Sequence, residues 1–356
     1  MKAVRLHGEA DIRIDQVPDA PEPGPGEAVV APLWSGICGT DVKEFTGHGG
    51  SVARQPHPLT GAGLPLVLGH EFSARVVALG PQVPGLAFDV AVGDEVAIMP
   101  LQHCGECLAC LQGEYPHCVV KAWTGLSSPW GGFGERVLVR SYQLTPLRGI
   151  SAQAGAVVEP AAVALHAARR ANVGPGDAVF VAGAGAIGLL TVLAARALGA
   201  SAVHVFEINP ERATLAASLG AEVVPASARD DVPAYLRHRT GGLGVHVAID
   251  CAGKPAAHET CVAAVRPGGT VGIPAVHPGP TTVDVRRMTR DDLTLVGSVG
   301  YSRESWERTV LMVRSGVLPV DQVVTSRIHV DEIVEKGFEV LAQPSPEVKI
   351  LVQVNQ

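Results

Sequence analysis

The sequence predicts an α/β chain, with a β-rich, barrel-like first domain and a second domain built on a doubly wound parallel sheet. Three observations carry this reading. The chain has 356 residues, enough for two domains of ordinary size. Its 41 glycines and 27 prolines stand above the usual combined share of about 12%, without any collagen-like or linker-like period, which marks a turn-rich fold. After Ser151 short apolar runs begin to alternate with Ala-rich helical stretches.

The first domain is read over residues 1–153. β-prone runs at 27–31, 72–79 and 136–139 are separated by turn sequences such as Pro23-Gly24-Pro25-Gly26 and Val92-Gly93-Asp94. The second domain is read over 154–300. Strands are expected at 178–182, 202–206, 222–224, 245–250, 270–273 and 294–297, and helices such as 186–198, 210–219 and 230–239 are long enough for right-handed crossovers. From 301 to 356 the alternation ends. A helix near 304–315 and a strand near 349–354 read as the chain returning to complete the first domain.

Composition removes several functions. Charged residues make up 18% and hydrophobic ones 47%, so charge-driven disorder is excluded. The formal charge is −7 and no Lys/Arg stripe is present, so nucleic acid is not an expected partner. Lys2, Arg5, Asp11, Arg13 and Asp15 interrupt every early apolar stretch; no secretory signal is read there, and a cytoplasmic protein is expected. The uncharged stretch 178–195 approaches the length of a membrane span, yet Gly183, Gly185 and Gly188 fit a buried strand turning into a buried helix better, so no membrane partner is expected.

That same turn is a candidate nucleotide site. Gly183-Ala184-Gly185-Ala186-Ile187-Gly188 follows a predicted strand and opens a predicted helix, the context a G-x-G-x-x-G fingerprint requires. The first glycine permits the turn, the second lets the backbone approach a pyrophosphate, and the third lets the helix pack on its strand. Glu207, at the end of the next strand, can accept both hydroxyls of an adenosine ribose and repel a 2′-phosphate, which favours NAD over NADP; Arg212 can flank the adenine. The competing use of these residues is packing alone, with Glu207 a solvated terminus.

Seven cysteines without an export signal point to metal binding or catalysis rather than disulfides. Cys104, Cys107, Cys110 and Cys118 follow C-x2-C-x2-C-x7-C, so four thiolates can close around one structural Zn²⁺ and order the loop 102–119, with His103 and His117 adjoining but not binding. Cys38 in Gly36-Ile37-Cys38-Gly39-Thr40-Asp41, His70 in Gly69-His70-Glu71, and Glu159 in Val157-Val158-Glu159-Pro160 form a dispersed second set. Taken singly, each fits a packing cysteine, a hydrogen-bonded core histidine or a helix-opening glutamate.

Taken together, these residues make the whole chain resemble the zinc-dependent medium-chain alcohol dehydrogenase family. It is most similar to the branch of 2,3-butanediol and sorbitol dehydrogenases. The likeness extends to His57-Pro58-Leu59-Thr60-Gly61, to the run from Val158 through Pro160 to His166, and to Gly297-Ser298-Val299-Gly300-Tyr301. The resemblance implies a GroES-like catalytic domain and a Rossmann domain working in the cleft between them, with two zinc ions per chain and NAD as cofactor. It implies a catalytic zinc on Cys38, His70 and Glu159, with Glu71 an alternate fourth ligand or a group behind the ligands, and Asp41 orienting His70. Ile273, Ser298 and Val299 would join the cofactor site.

The implied chemistry is hydride transfer between an alcohol carbon and the nicotinamide, with zinc drawing charge from the alcohol oxygen. Thr40 matches the family's relay hydroxyl. Lys43 stands where the family often has histidine, and its reference pKa of about 10.4 against about 6.5 makes it a cation near the ribose or a cofactor hydrogen bonder, leaving the last proton step to His48 or water. The loop 46–64 is expected to be a lid or binding loop, and Trp34, Phe45, Trp123 and Trp130 are pocket-wall or core candidates. The implied substrate is a secondary alcohol, a vicinal diol such as 2,3-butanediol giving acetoin. A sorbitol-type polyol or threonine-type dehydrogenase, or a non-catalytic NAD-binding scaffold, is the alternative. The implied partners are a small-molecule substrate and further copies of the chain, in a homotetramer or homodimer.

Overall fold

The structure, a computed structural model, describes residues 1–82 and 89–355. It divides into one unit of Met1–Glu159, Ser302–Arg314 and Val324–Gln356, and a second of Pro160–Tyr301 and Ser315–Val323.

In the first unit the strands Glu27–Gly36 and Glu71–Leu79 are buried over most of their length, so both of their faces are largely covered. The strand Glu27–Gly36 is the hub. It pairs antiparallel with Glu71–Leu79 on one side and with Lys349–Gln353 and Val137–Arg140 on the other, and Val324–His329 extends the sheet parallel to Lys349–Gln353. The register sets Gly36 opposite both Glu71 and Leu351. Phe72, Val76, Val96, Ile98 and Val137 fill one core, while Leu6, Ile37, Leu68, Phe133, Phe338 and Ile350 fill another. The hub strand runs five residues beyond the expected 27–31. It passes Pro32 through a register shift between Pro32 and Trp34, where a missing backbone donor costs no ladder bond.

The helix Arg303–Arg314 and the strand Lys349–Gln353 belong to this unit. Trp306 fixes the helix by donating its indole N–H to Thr145 Oγ1 at 2.8 Å. The return is not continuous, as residues 301–356 were expected to be. Ser315–Val323 stays with the second unit, because Leu318, Val320 and Val323 are buried and the turn Val320–Val323 packs on the helix Ala186–Ala197.

The second unit holds six parallel strands, Ala178–Ala182, Ala202–Phe206, Glu222–Val223, Val245–Asp250, Val265–Ile273 and Thr294–Gly297. They lie in the order third, second, first, fourth, fifth, sixth. The order reverses beside the first strand, so the helices after it and after the fourth strand leave on opposite faces and open a crevice at the carboxyl ends. The stretch that approached the length of a span is the buried strand Ala178–Ala182 followed by the helix Ala186–Ala197. Among the described residues no helix is long and apolar enough to cross a membrane.

Candidate active site and metal centres

In the first unit the short helix Gly39–Phe45 starts at Cys38, whose Sγ accepts the Thr40 N–H at 3.4 Å. Asp41, in the helix's first turn and fully buried, uses one oxygen to accept the Cys38 N–H at 3.0 Å. Its other oxygen lies 3.4 Å from His70 Nδ1. Burial opposes a charge on His70, but the Asp41 carboxylate and the Cys38 sulfur outweigh it and hold the ring's pKa well above its usual value. With Nδ1 turned to Asp41, Nε2 is the nitrogen left for a ligand.

Ligand atoms of Cys38, His70 and Glu71 lie within 4.8 Å of one another. One thiolate, one imidazole and one carboxylate suit a borderline divalent ion such as zinc, and three protein ligands leave a position open. The expected set was Cys38, His70 and Glu159, with Glu71 an alternate fourth ligand or a group behind the ligands. The carboxylate that converges with Cys38 and His70 is Glu71, and Glu159, buried in the helix Ala152–Arg170, is not in that group.

Lys349 fixes Glu71. Buried in the last strand, it donates to Glu71 Oε2 at 2.5 Å and to Ile37 O at 3.1 Å, so the carboxylate is held beside the hub strand. Burial works against the ammonium, yet Glu71 and then Cys38 reverse the effect and raise its pKa. Gly36 makes room for the pair, since a Cβ there would overlap Glu71 Oε2. Sequence reasoning missed Lys349, whose signal was a lone lysine opening an apolar strand, Lys349-Ile350-Leu351-Val352.

Thr40 is half-buried and Lys43 exposed on the same helix. The segment 46–64 is pinned rather than free-standing. Buried Glu44, also unforeseen, accepts the N–H groups of Ser51 at 2.5 Å and Val52 at 3.1 Å. Val52 and Ala62 are core residues, and Thr60 donates to Ser127 O at 2.6 Å. His48 is exposed, with Nδ1 3.3 Å from Thr46 Oγ1. Phe45 and Trp123 pack on one core and Trp130 on the other, while Trp34 is half-buried in the hub strand.

The four-cysteine lobe is compact. Its sulfurs lie 3.9 Å apart for Cys104 and Cys110, 3.5 Å for Cys107 and Cys110, and 3.6 Å for Cys118 and Cys104. A tetrahedral ion with Zn–S bonds of about 2.3 Å requires sulfurs about 3.8 Å apart, so the lobe fits zinc with no position left for substrate. Backbone N–H groups of Cys110 and Val119 pull the Cys107 thiol down to about 6, whereas burial pushes Cys110 up to about 12. His103 stacks on Tyr115 with ring centres 4.1 Å apart, and His117 pairs with Glu114 at 3.5 Å; neither joins the sulfur cluster.

In the second unit Gly183 turns at φ +94°, and a Cβ on Gly188 would overlap the Gly183 carbonyl. Gly185 differs, because its Cβ would meet nothing within 4 Å. It is the N-cap of the helix that opens with Ala186 and Ile187, and no side chain caps it. Open space beside uncapped N–H groups is the cradle a pyrophosphate fits. Glu207 is held at its rim: one oxygen accepts the Ala184 N–H at 2.7 Å, the other those of Ile208 and Asn209 at 2.8 Å. Arg212 donates its backbone N–H to the Asn209 side chain at 3.0 Å, in the first turn of the next helix. At the ends of the fifth and sixth strands the Ser298 N–H donates to Ile273 O at 3.1 Å, with Val299 exposed beside it.

Comparison with known proteins covers both units. Residues 24–149 match the alcohol dehydrogenase GroES-like domain, and residues 186–315 match the zinc-binding dehydrogenase family. Over its full length the chain is 35% identical to (R,R)-butanediol dehydrogenase of Bacillus subtilis, with all of both chains covered. It is 31% identical to (R,R)-butanediol dehydrogenase of Neisseria gonorrhoeae, again with full coverage of both. The crystal structure of 2R,3R-butanediol dehydrogenase from Bacillus subtilis superposes with a TM-score of 0.91 at 34% identity, covering 99% of each chain.

Two outcomes follow from this geometry. Lys349→Met leaves the Glu71 carboxylate buried without its partner and should lower stability by about 3–5 kcal/mol in urea unfolding, while adding Glu71→Gln should recover part of the loss. In chelator-treated protein at pH 7, iodoacetamide should label Cys107 before Cys110, read by mass spectrometry, and zinc should protect both; equal labelling would contradict the assigned environments.

Proposed function

The chain belongs to the zinc-dependent medium-chain alcohol dehydrogenase family, and on that footing we propose that it interconverts a vicinal diol and its α-hydroxyketone, 2,3-butanediol and acetoin, using NAD(H). The observation that carries the chemistry is the convergence of Cys38, His70 and Glu71. The diol is supported by the full-length likeness to (R,R)-butanediol dehydrogenase.

Cys38 and His70 would hold the catalytic zinc, with Glu71 as the carboxylate beside them and buried Glu159 as a second carboxylate ligand. Cys104, Cys107, Cys110 and Cys118 would hold a second, structural zinc. A zinc ion in the first set would supply positive charge to a substrate oxygen, and a nicotinamide the hydride acceptor or donor. Asp41 keeps the His70 ring in one orientation, and Lys349 keeps Glu71 from swinging free. The Thr40 hydroxyl passes the alcohol proton outward, and Lys43 offers a positive charge or a hydrogen bond to the cofactor. The Gly185 cradle takes the pyrophosphate, Glu207 takes the adenosine ribose beside Arg212, and Ile273, Ser298 and Val299 line the nicotinamide end. The Glu207 carboxylate, held by three backbone N–H groups, repels a 2′-phosphate and so selects NAD over NADP.

A panel of 2,3-butanediol stereoisomers, sorbitol and threonine, followed by NADH absorbance, should show the highest kcat/KM for a diol; absence of turnover with every diol would overturn the substrate. Glu207→Ser should reduce the NAD-over-NADP ratio of kcat/KM by about tenfold or more, about 1.4 kcal/mol of discrimination. Cys38→Ser should abolish turnover and remove one equivalent of zinc while leaving the thiolate-bound equivalent in place.

A further inference from the structure

The second unit contains a polar cluster that the dehydrogenase chemistry does not use. Asp250 ends the fourth parallel strand, His258 lies in the helix Pro255–Ala264, and His277 lies in the segment after the fifth strand. The three offer ligand atoms within 4.8 Å of one another. We propose that they form a third metal site, for a borderline divalent cation such as zinc.

The cluster is preorganised from the backbone outward. Asp250 Oδ1 accepts the N–H groups of Ala252 at 3.0 Å and Gly253 at 2.9 Å, which fixes the carboxylate and presents Oδ2 to His277 Nε2 at 2.9 Å. Gly253, at φ +62°, lets the following segment come close, since a Cβ there would lie 3.1 Å from Val276 O. That approach brings His277 over the strand end.

His258 is the observation that points to a ligand. It is 1% exposed, and neither ring nitrogen has a hydrogen-bond partner among the described residues. His277 Nδ1 is unpartnered as well. A neutral imidazole must place one donor and one acceptor, and burying both unmet is unfavourable unless something else occupies the space. A hydrogen-bonded Asp–His pair explains Asp250 and His277 but leaves His258 unexplained. A cation between the rings gives His258 a partner and uses the orientation that Asp250 imposes.

The donor set selects the chemistry. Two imidazoles and one carboxylate suit Zn²⁺, Co²⁺ or Ni²⁺, whereas Mg²⁺ and Ca²⁺ prefer oxygen alone. The ion would tie a strand end, the next helix and the segment after the neighbouring strand, all within one unit, so its role is to brace the carboxyl ends of two interior strands. The inference uses none of the cysteine sites and stands or falls apart from the proposed reaction.

The test is Co²⁺ and Zn²⁺ titration of the full-length enzyme after chelation, with metal content by mass spectrometry and Co²⁺ visible spectra. The wild type should take up about three equivalents, one of them without the intense thiolate charge-transfer bands of the cysteine sites. His258→Gln should lose that equivalent alone, lower the thermal midpoint gained on adding Zn²⁺, and leave the Cys38→Ser-sensitive equivalent in place. His277→Gln should do the same, and serves as the deciding variant if His258→Gln fails to fold by circular dichroism. Two equivalents in the wild type, or unchanged uptake in a folded variant, would show a water-filled cluster and overturn the proposal.

Discussion

A lysine ammonium buried against a carboxylate is the constraint around which the first unit is arranged. Taking Lys349 and Glu71 out of water costs several kcal/mol per ion, which only close geometry and a further hydrogen bond can offset. Both conditions are met, by the 2.5 Å contact and by the bond to Ile37 O. Meeting them requires three strands in register, with Gly36 between Glu71 and Leu351 and no side chain at 36. Cys38 follows Gly36 by two residues and His70 precedes Glu71 directly. The register that satisfies the ion pair therefore also brings the sulfur and the imidazole together. The C-terminal strand is part of the site even though it contributes no ligand.

Local chemistry was legible in the sequence wherever a motif contained its own geometry. The four cysteines encode their lobe by spacing, and the glycine turn encodes its helix and strand because each glycine answers a steric demand within six residues. The parallel sheet was legible for a related reason, since its buried strands read as continuous apolar runs bounded by turns. Lys349 was not legible, because its partner lies 278 residues away and nothing local distinguishes a buried lysine from a solvated one. Glu44 was hidden differently. It sits on a helix whose neighbours are polar, and only the folding back of 51–52 shows that its carboxylate caps backbone N–H groups. Which of Glu71 and Glu159 turns toward Cys38 and His70 is likewise a matter of side-chain direction, which no local pattern in the sequence records.

Each unit solves the exposure of its polar groups in a way that suits its task. The cysteine lobe satisfies four sulfurs with one another's neighbourhood and leaves nothing open, which suits an ordering role. The glycine turn does the opposite. It leaves space at Gly185 and uncapped N–H groups at a helix start, a local cost in stability that a bound anion recovers. Glu207, braced by three backbone donors, keeps a fixed carboxylate at the rim, so its position does not depend on a flexible side chain finding its place.

Burial and charge compete around Cys38, and charge prevails at both neighbouring cations. Burial opposes a proton on His70, and the Asp41 carboxylate, with an oxygen 3.4 Å from Nδ1, outweighs burial together with the Cys38 sulfur and raises the ring's pKa. Burial opposes the Lys349 ammonium in the same way, and the Glu71 carboxylate reverses the effect. A divalent ion on such a set would need a neutral imidazole and a thiolate, so it would displace protons as it bound. Lys349 would keep its own charge beside Glu71 throughout, because it is held there by the hydrogen bonds to Glu71 and Ile37 and by no ligand role of its own.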